Sequence, residues 1–197
     1  TRVVQEGKKL AEAKGFYLVE DDKLLEEIIG LTEYPIPILG EIPKELLSIP
    51  EEVIVTSMKE HQKFLSLRSS ANGKVEGFLV VADLQTHDNQ KTILSGNMRV
   101  LYSRLKDAIF FYQNDLNLVK LHGMKAWNDK LKGVRFHEKL GSQYDRVERI
   151  VKIAVLLAKQ FELEPDEVCN AAKLIKADLV SNIVTEFPSL QGTMGAH

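Results

Sequence analysis

The chain has 197 residues, 44% of them hydrophobic and 27% charged, with a formal net charge of −2. That is enough for one ordinary domain or two small ones, and the composition excludes disordered and fibrous classes. No apolar run approaches the roughly 20 residues of a membrane-crossing helix, so no membrane association is expected, and without a positive excess any nucleic-acid contact must come from a local patch.

Residues 3–13 and 22–30 read as two short amphipathic helices. Gly15 breaks the first, and Asp21 or Asp22 caps the second. Tyr34-Pro35-Ile36-Pro37-Ile38-Leu39-Gly40 carries two prolines and reads as an extended edge or loop. Residues 43–48 suit one helical turn. The β-branched run Val53-Ile54-Val55-Thr56 predicts a short buried strand, with a helical turn over Met58–Gln62. Residues 64–84 read as a β-hairpin turning at Asn72-Gly73, which supply the positive φ of a tight turn. Phe78, Val80 and Ala82 then face one side, and Leu79, Val81 and Asp83 the other.

From Asn97 to about Leu116 apolar residues recur at three- and four-residue steps, as on a helix. Residues 119–135 are lysine-rich and are expected as a basic linker between an α+β domain (1–118) and a helical domain (136–197). Residues 142–161 predict a helix whose stripe of Val147, Ile150, Val151, Ala154, Leu157, Ala158 and Phe161 belongs to the core. Pro165 opens a last helix, with Val168, Ala171, Ala172, Ile175, Leu179 and Ile183 inward, running until Pro188. The fold class is therefore α+β: a mixed N-terminal region with a hairpin, then an all-helical C-terminal region. Thr1 in place of an initiating methionine, and an uncharged end at Met194-Gly195-Ala196-His197, lead one to expect an excised piece of a longer chain.

Few residues suggest chemistry. No phosphate-binding glycine loop, paired cysteines or His-Glu-x-x-His motif occurs. Cys169, alone and therefore without an internal disulfide, sits beside Val168 and reads as a core cysteine of a reduced, cytoplasmic protein. Lys59, His61, Gln62 and Lys63 cluster as groups that bind phosphate or a base edge would, although a solvated polar turn accounts for them too. His87-Asp88 suits a turn better than a metal site. Arg99, Ser103 and Lys106 fall on one helix face, with Asn97 and Arg104 close by; they suit a sugar-phosphate backbone or simply a wet helix face.

Several strings resemble the beta subunit of bacterial heterotetrameric glycyl-tRNA synthetase. These are Glu33-Tyr34-Pro35-Ile36-Pro37-Ile38-Leu39-Gly40; the run from Leu47 to Phe64, with Ser57-Met58-Lys59-Glu60-His61-Gln62-Lys63; Gly96-Asn97-Met98-Arg99-Val100-Leu101-Tyr102-Ser103-Arg104-Leu105-Lys106-Asp107-Ala108; the run from Phe136 to Ile150; and Lys176-Ala177-Asp178-Leu179-Val180 with Glu186-Phe187-Pro188-Ser189-Leu190-Gln191-Gly192-Thr193-Met194-Gly195. They keep the family's order from Glu33 onward.

The resemblance implies a piece of an enzyme that attaches glycine to tRNA(Gly). In this family the alpha subunit carries the class II active site and uses ATP and Mg, while beta binds tRNA, so no cofactor and no catalytic residue are expected in this chain. The implied partners are tRNA(Gly), the alpha subunit and the remainder of beta. Lys59, His61, Gln62, Lys63, Asn97, Arg99, Arg104 and Lys106 become candidates for tRNA contact. From about residue 136 the family has a domain related to the HD phosphohydrolases. Here Ala177-Asp178 stands for the His-Asp pair, and Tyr144-Asp145 and Arg149 stand near the first histidine. The missing imidazoles imply an inert scaffold, with Asp178 a degenerate position. Two alternatives remain: a metal-dependent HD-type phosphohydrolase, and an assembly module without RNA contact.

Overall fold

The computed structural model describes residues 2–197. Its contacts divide the chain into two compact units that meet at Ile109/Phe110. Helix α1 (Arg2–Ala13) leads through Gly15, at φ 77°, into β1 (Phe16–Leu18). Helix α2 (Asp22–Leu31) is capped by Asp21, whose carboxylate accepts from the Leu24 N–H at 3.1 Å. β2 (Ile36–Glu41) contains Pro37, and a single 3-10 turn follows over Lys44–Leu46.

The expected strand at Val53–Thr56 is instead part of α3 (Glu51–Gln62), which also absorbs the predicted turn over Met58–Gln62. β propensity is a weak preference that tertiary burial overrides. In helical spacing, Val53, Ile54, Ser57 and Met58 make one buried face. Glu51 and Glu52 lie in the first turn, where the helix dipole favours negative charge.

The hairpin forms as β3 (Leu65–Ser69) and β4 (Val75–Ala82). Its turn is wider than a two-residue one: of the Asn72-Gly73 pair only Gly73 has positive φ (73°), and Asn72 accepts the Lys74 N–H through its side chain. The antiparallel sheet has the order β1-β3-β4-β2, so the proline-bearing strand is an edge. Leu65 lies opposite Leu79, and both join Leu67, Phe16, Ala11 of α1, and Leu24 and Ile28 of α2 in one buried cluster. The alternation of β4 turns Phe78 away from Leu79, and Phe78 stacks on Phe64 with ring centroids 4.7 Å apart. Gly40 lies opposite Phe78 in the register, where a Cβ would fall within 2.2 Å of the ring; only glycine leaves that space.

Helix α4 (Lys91–His122) is longer at both ends than the predicted 97–116 and passes through the division between the units. Its start is held by Asp88, which accepts from the Thr92 N–H at 2.8 Å and from the hydroxyls of Thr86 and Thr92.

The second unit departs further from expectation. The stretch 119–135, expected as a basic linker, holds the end of α4, helix α5 (Lys125–Lys130) and a 3-10 turn, and it buries Trp127 and Leu131. The region from 136 is helical except for a short hairpin, β5 (Arg135–His137) with β6 (Gly141–Ser142). Helix α6 (Gln143–Gln160) begins with a capping box between Ser142 and Asp145. Its apolar stripe is not the expected core. Val147 and Ala158 are buried, but Leu157 and Phe161 are 47% and 66% exposed, with Ile153 and Leu156 exposed beside them.

The predicted helix from Pro165 to Pro188 is broken. Helix α7 (Pro165–Leu174) ends before a 3-10 turn (Ala177–Val180), and α8 (Asn182–Glu186) starts anew. Its N-terminus is held by Ser181 and by Asp115 of α4. The Asp115 carboxylate, 5% exposed, accepts from the N–H groups of Asn182 and Ile183 and from the Asn182 carboxamide, at 2.8–3.0 Å. Pro188 opens a further 3-10 turn, and α9 (Thr193–Ala196) follows.

The Thr86 hydroxyl, with the Thr92 hydroxyl and N–H, holds the Asp88 carboxyl down at about 2 from an ordinary 3.8. For a depressed carboxylate the stabilisation is complete above the unfolded value and disappears as pH falls through the folded one. Asp88→Ala is therefore expected to lower stability at neutral pH and to lose that effect once the pH drops through about 2. Circular dichroism unfolding across that range checks it; a penalty that vanishes already at pH 4 contradicts it.

Candidate nucleic-acid interface

The basic residues of α3 reach back toward α2. Lys59 is hydrogen-bonded and ion-paired to Asp21, and Lys63 pairs with Glu27 at 2.9 Å. Burial raises the Asp21 pKa, but the Lys59 ammonium and the Leu24 N–H outweigh it, so the carboxyl stays below its usual range. Such partly exposed pairs contribute little stability. Their electrostatic effect is larger, because each lysine already faces a carboxylate and offers less field to a phosphate. Lys63 also leaves the helix in the left-handed conformation, at φ 55°.

Gln62 and Asn97 are brought together: the Gln62 Nε2 donates to the Asn97 carbonyl at 3.3 Å. The Asn97 carboxamide donates back along its own helix to the Ile93 carbonyl at 2.9 Å. The Gln62 side chain thus links α3 to the backbone of α4, and the Asn97 side chain is engaged within α4. His61 is exposed on the last turn of α3.

The α4 face is different. Leu101, Leu105 and Ala108 are buried, so the opposite positions Arg99, Tyr102, Ser103 and Lys106 project outward, and all four are exposed. The Lys106 ammonium lies 5.4 Å from the centroid of the Tyr102 ring. Arg104, one position off this line, is exposed as well. Of the candidate residues, Arg99 and Lys106 make no ion pair among the described residues. Tyr102 is a residue that the sequence reading passed over. Its signal was the three- and four-residue spacing to Arg99 and Lys106, which puts an aromatic between two cations.

Asp178, Asp145 and Arg149, expected to be degenerate HD positions, make hydrogen bonds within the fold. Asp178 is 1% exposed, and its carboxylate accepts from the N–H groups of Gly192 and Gly195. Asp145 is engaged in the α6 capping box, and Arg149 donates to the Leu140 carbonyl at 3.0 Å. Among the described residues no three His, Cys, Asp or Glu side chains come together as metal ligands. Cys169 is half-buried, and Asp88 is occupied at the start of α4.

Among the described residues no helix is long and apolar enough to cross a membrane. The model of the family described as glycyl-tRNA synthetase beta subunit matches residues 1–197. The chain is 50% identical over 187 residues to the glycine–tRNA ligase beta subunit of Dinoroseobacter shibae, covering 95% of this chain and 26% of that protein. The corresponding subunit of Paracoccus denitrificans is 48% identical over 98% of this chain and 28% of its own length. That of Listeria monocytogenes is 39% identical over the same shares of the two chains. The chain thus spans about a quarter of the length of the curated relatives it matches.

Asp178 answers two backbone donors in a buried place. Asp178→Ala is expected to cost roughly 2–4 kcal/mol in denaturant unfolding. The Gly192 and Gly195 amides should lose hydrogen-exchange protection together, and unchanged protection at both contradicts the assigned role.

Proposed function

The chain belongs to the glycyl-tRNA synthetase beta subunit family, and from that premise we propose that it helps hold tRNA(Gly) through the exposed face of α4. In this reading Arg99 and Lys106 meet phosphates, Ser103 donates to a phosphate or ribose oxygen, and Tyr102 lies against a sugar or an unpaired base. The alpha subunit supplies the ATP- and Mg-dependent formation of glycyl adenylate in the cytoplasm. This chain forms no bond itself and contributes binding and subunit architecture.

The observation that supports the reading is the contrast between α3 and α4. Lys59 and Lys63 are matched with carboxylates, whereas Arg99 and Lys106 of α4 make no ion pair among the described residues and have Tyr102 between them. Phosphate binding depends on such cations, because each phosphate neutralised releases condensed counterions. The phosphohydrolase alternative lacks a ligand cluster among the described residues. The assembly alternative has one observation in its favour, the exposed apolar side chains Ile153, Leu156 and Phe161 of the α6 region. These suit docking by the remainder of the beta subunit or by alpha, alongside tRNA binding.

The test is charge reversal in the full synthetase. Arg99→Glu with Lys106→Glu should weaken tRNA(Gly) binding by at least about tenfold and flatten the dependence of log affinity on log salt by roughly 1.4–1.8, two phosphate contacts' worth. Filter binding across a salt series reads both. Unchanged affinity and slope would remove α4 from the tRNA surface and leave the assembly role.

A further inference from the structure

The second unit holds an open cleft of about 500 Å³ among α5, α6 and α7 that the α4 reading does not use. Its volume lies in the range that encloses small organic ligands. Its lining residues include Lys125 and Lys173, Tyr144, and Asn128 and Asn170.

Its electrostatics favour a single negative charge. The carboxylates on the cleft are Asp129 and Glu148. Asp129 is paired with Lys132 at 3.0 Å, and that hydrogen bond, followed by the attraction of the same lysine and then of Lys125, keeps the Asp129 carboxyl below its ordinary range. Lys132 also lies 4.9 Å from the Tyr144 ring centroid. With Asp129 answered by Lys132, the two lysines that line the cleft, Lys125 and Lys173, are opposed by Glu148.

The hydrogen bonding asks for a donor. The Asn128 Oδ1 is buried and has no partner among the described residues. Buried acceptors are nearly always satisfied, and each exception calls for an explanation. Asn128 lines the cleft, and a half-turn of its carboxamide about the terminal torsion brings this oxygen to the cleft side, where a ligand amine would meet it.

An anion, a planar ring and an amine edge coincide in one class of molecule. We propose that this cleft binds a nucleotide: its phosphate between Lys125 and Lys173, its base against Tyr144, and its exocyclic amine on the carboxamide of Asn128 or Asn170. The nucleotide is either free in solution or an unpaired residue of an RNA strand. The cleft and the α4 face share no residue, so each can fail without the other.

Equilibrium dialysis on the full-length beta subunit, without alpha and its ATP site, tests this. The probes are cytidine 5′-monophosphate and a single-stranded oligocytidylate, with a duplex RNA as control. Saturable binding of a single-stranded probe is expected. Lys125→Glu with Lys173→Glu, both at exposed positions, should weaken it by at least about tenfold, and Tyr144→Leu by about 5- to 100-fold. Equal affinity for both probes assigns the cleft to a soluble nucleotide; preference for the oligomer assigns it to an RNA strand. The absence of saturable binding to either, or binding indifferent to Lys125→Glu with Lys173→Glu, overturns the proposal.

Discussion

Helix starts and tight connections leave backbone N–H groups without a partner, and at seven places among the described residues a carboxylate answers them. Asp21 takes the Leu24 N–H, Asp88 that of Thr92, Asp145 that of Ser142, and Asp115 those of Asn182 and Ile183. Asp83 accepts from Glu33 and Tyr34 at the entrance to β2, Glu51 from Val75 at the start of β4, and Asp178 from Gly192 and Gly195. At the buried Asp115 and Asp178, a hydrogen bond to a charged acceptor contributes roughly 1.5–3 kcal/mol, against about 1 for a neutral one. The acidic side chains thus hold segments together that are often far apart in sequence, such as α4 and α8.

That constraint changes the meaning of the net charge. A total of −2 argues against nucleic-acid binding only if acidic and basic groups share the same surface. Here seven carboxylates are directed at backbone, and Asp21 and Glu27 also neutralise Lys59 and Lys63. Arg99 and Lys106 lie on the outer face of a helix whose inner face is fixed by Leu101, Leu105 and Ala108. Two exposed cations thus stand on one face of α4, although the chain as a whole is slightly acidic. Short range is enough for this, because exposed charges are screened beyond roughly 8–10 Å.

Local chemistry was legible in the sequence and long-range chemistry was not. The cap at Asp21, the hairpin, the edge strand with Pro37 and the start of α7 at Pro165 each depend on neighbours within a few residues. The strand expected at Val53–Thr56 failed because its burial is set by packing of the helix face that also carries Ser57 and Met58. The long last helix failed because its break is organised by Asp115, 67 residues earlier. The α6 stripe was read correctly as helical and wrongly as core, since periodicity identifies an apolar face without saying what covers it. The site divides in the same way. The spacing of Arg99, Ser103 and Lys106 gave their common face, whereas the pairing of Lys59 with Asp21 spans 38 positions and leaves no local trace.

In the proposed reading α4, and not the lysines of α3, meets the nucleic acid. Lysine-reactivity mapping by mass spectrometry on the complete synthetase, with and without tRNA(Gly), tests it most directly. Lys106 should become protected from acylation when tRNA is bound, while Lys59 and Lys63, already held by Asp21 and Glu27, keep their reactivity. Protection of Lys59 and Lys63 with Lys106 unchanged would contradict the account.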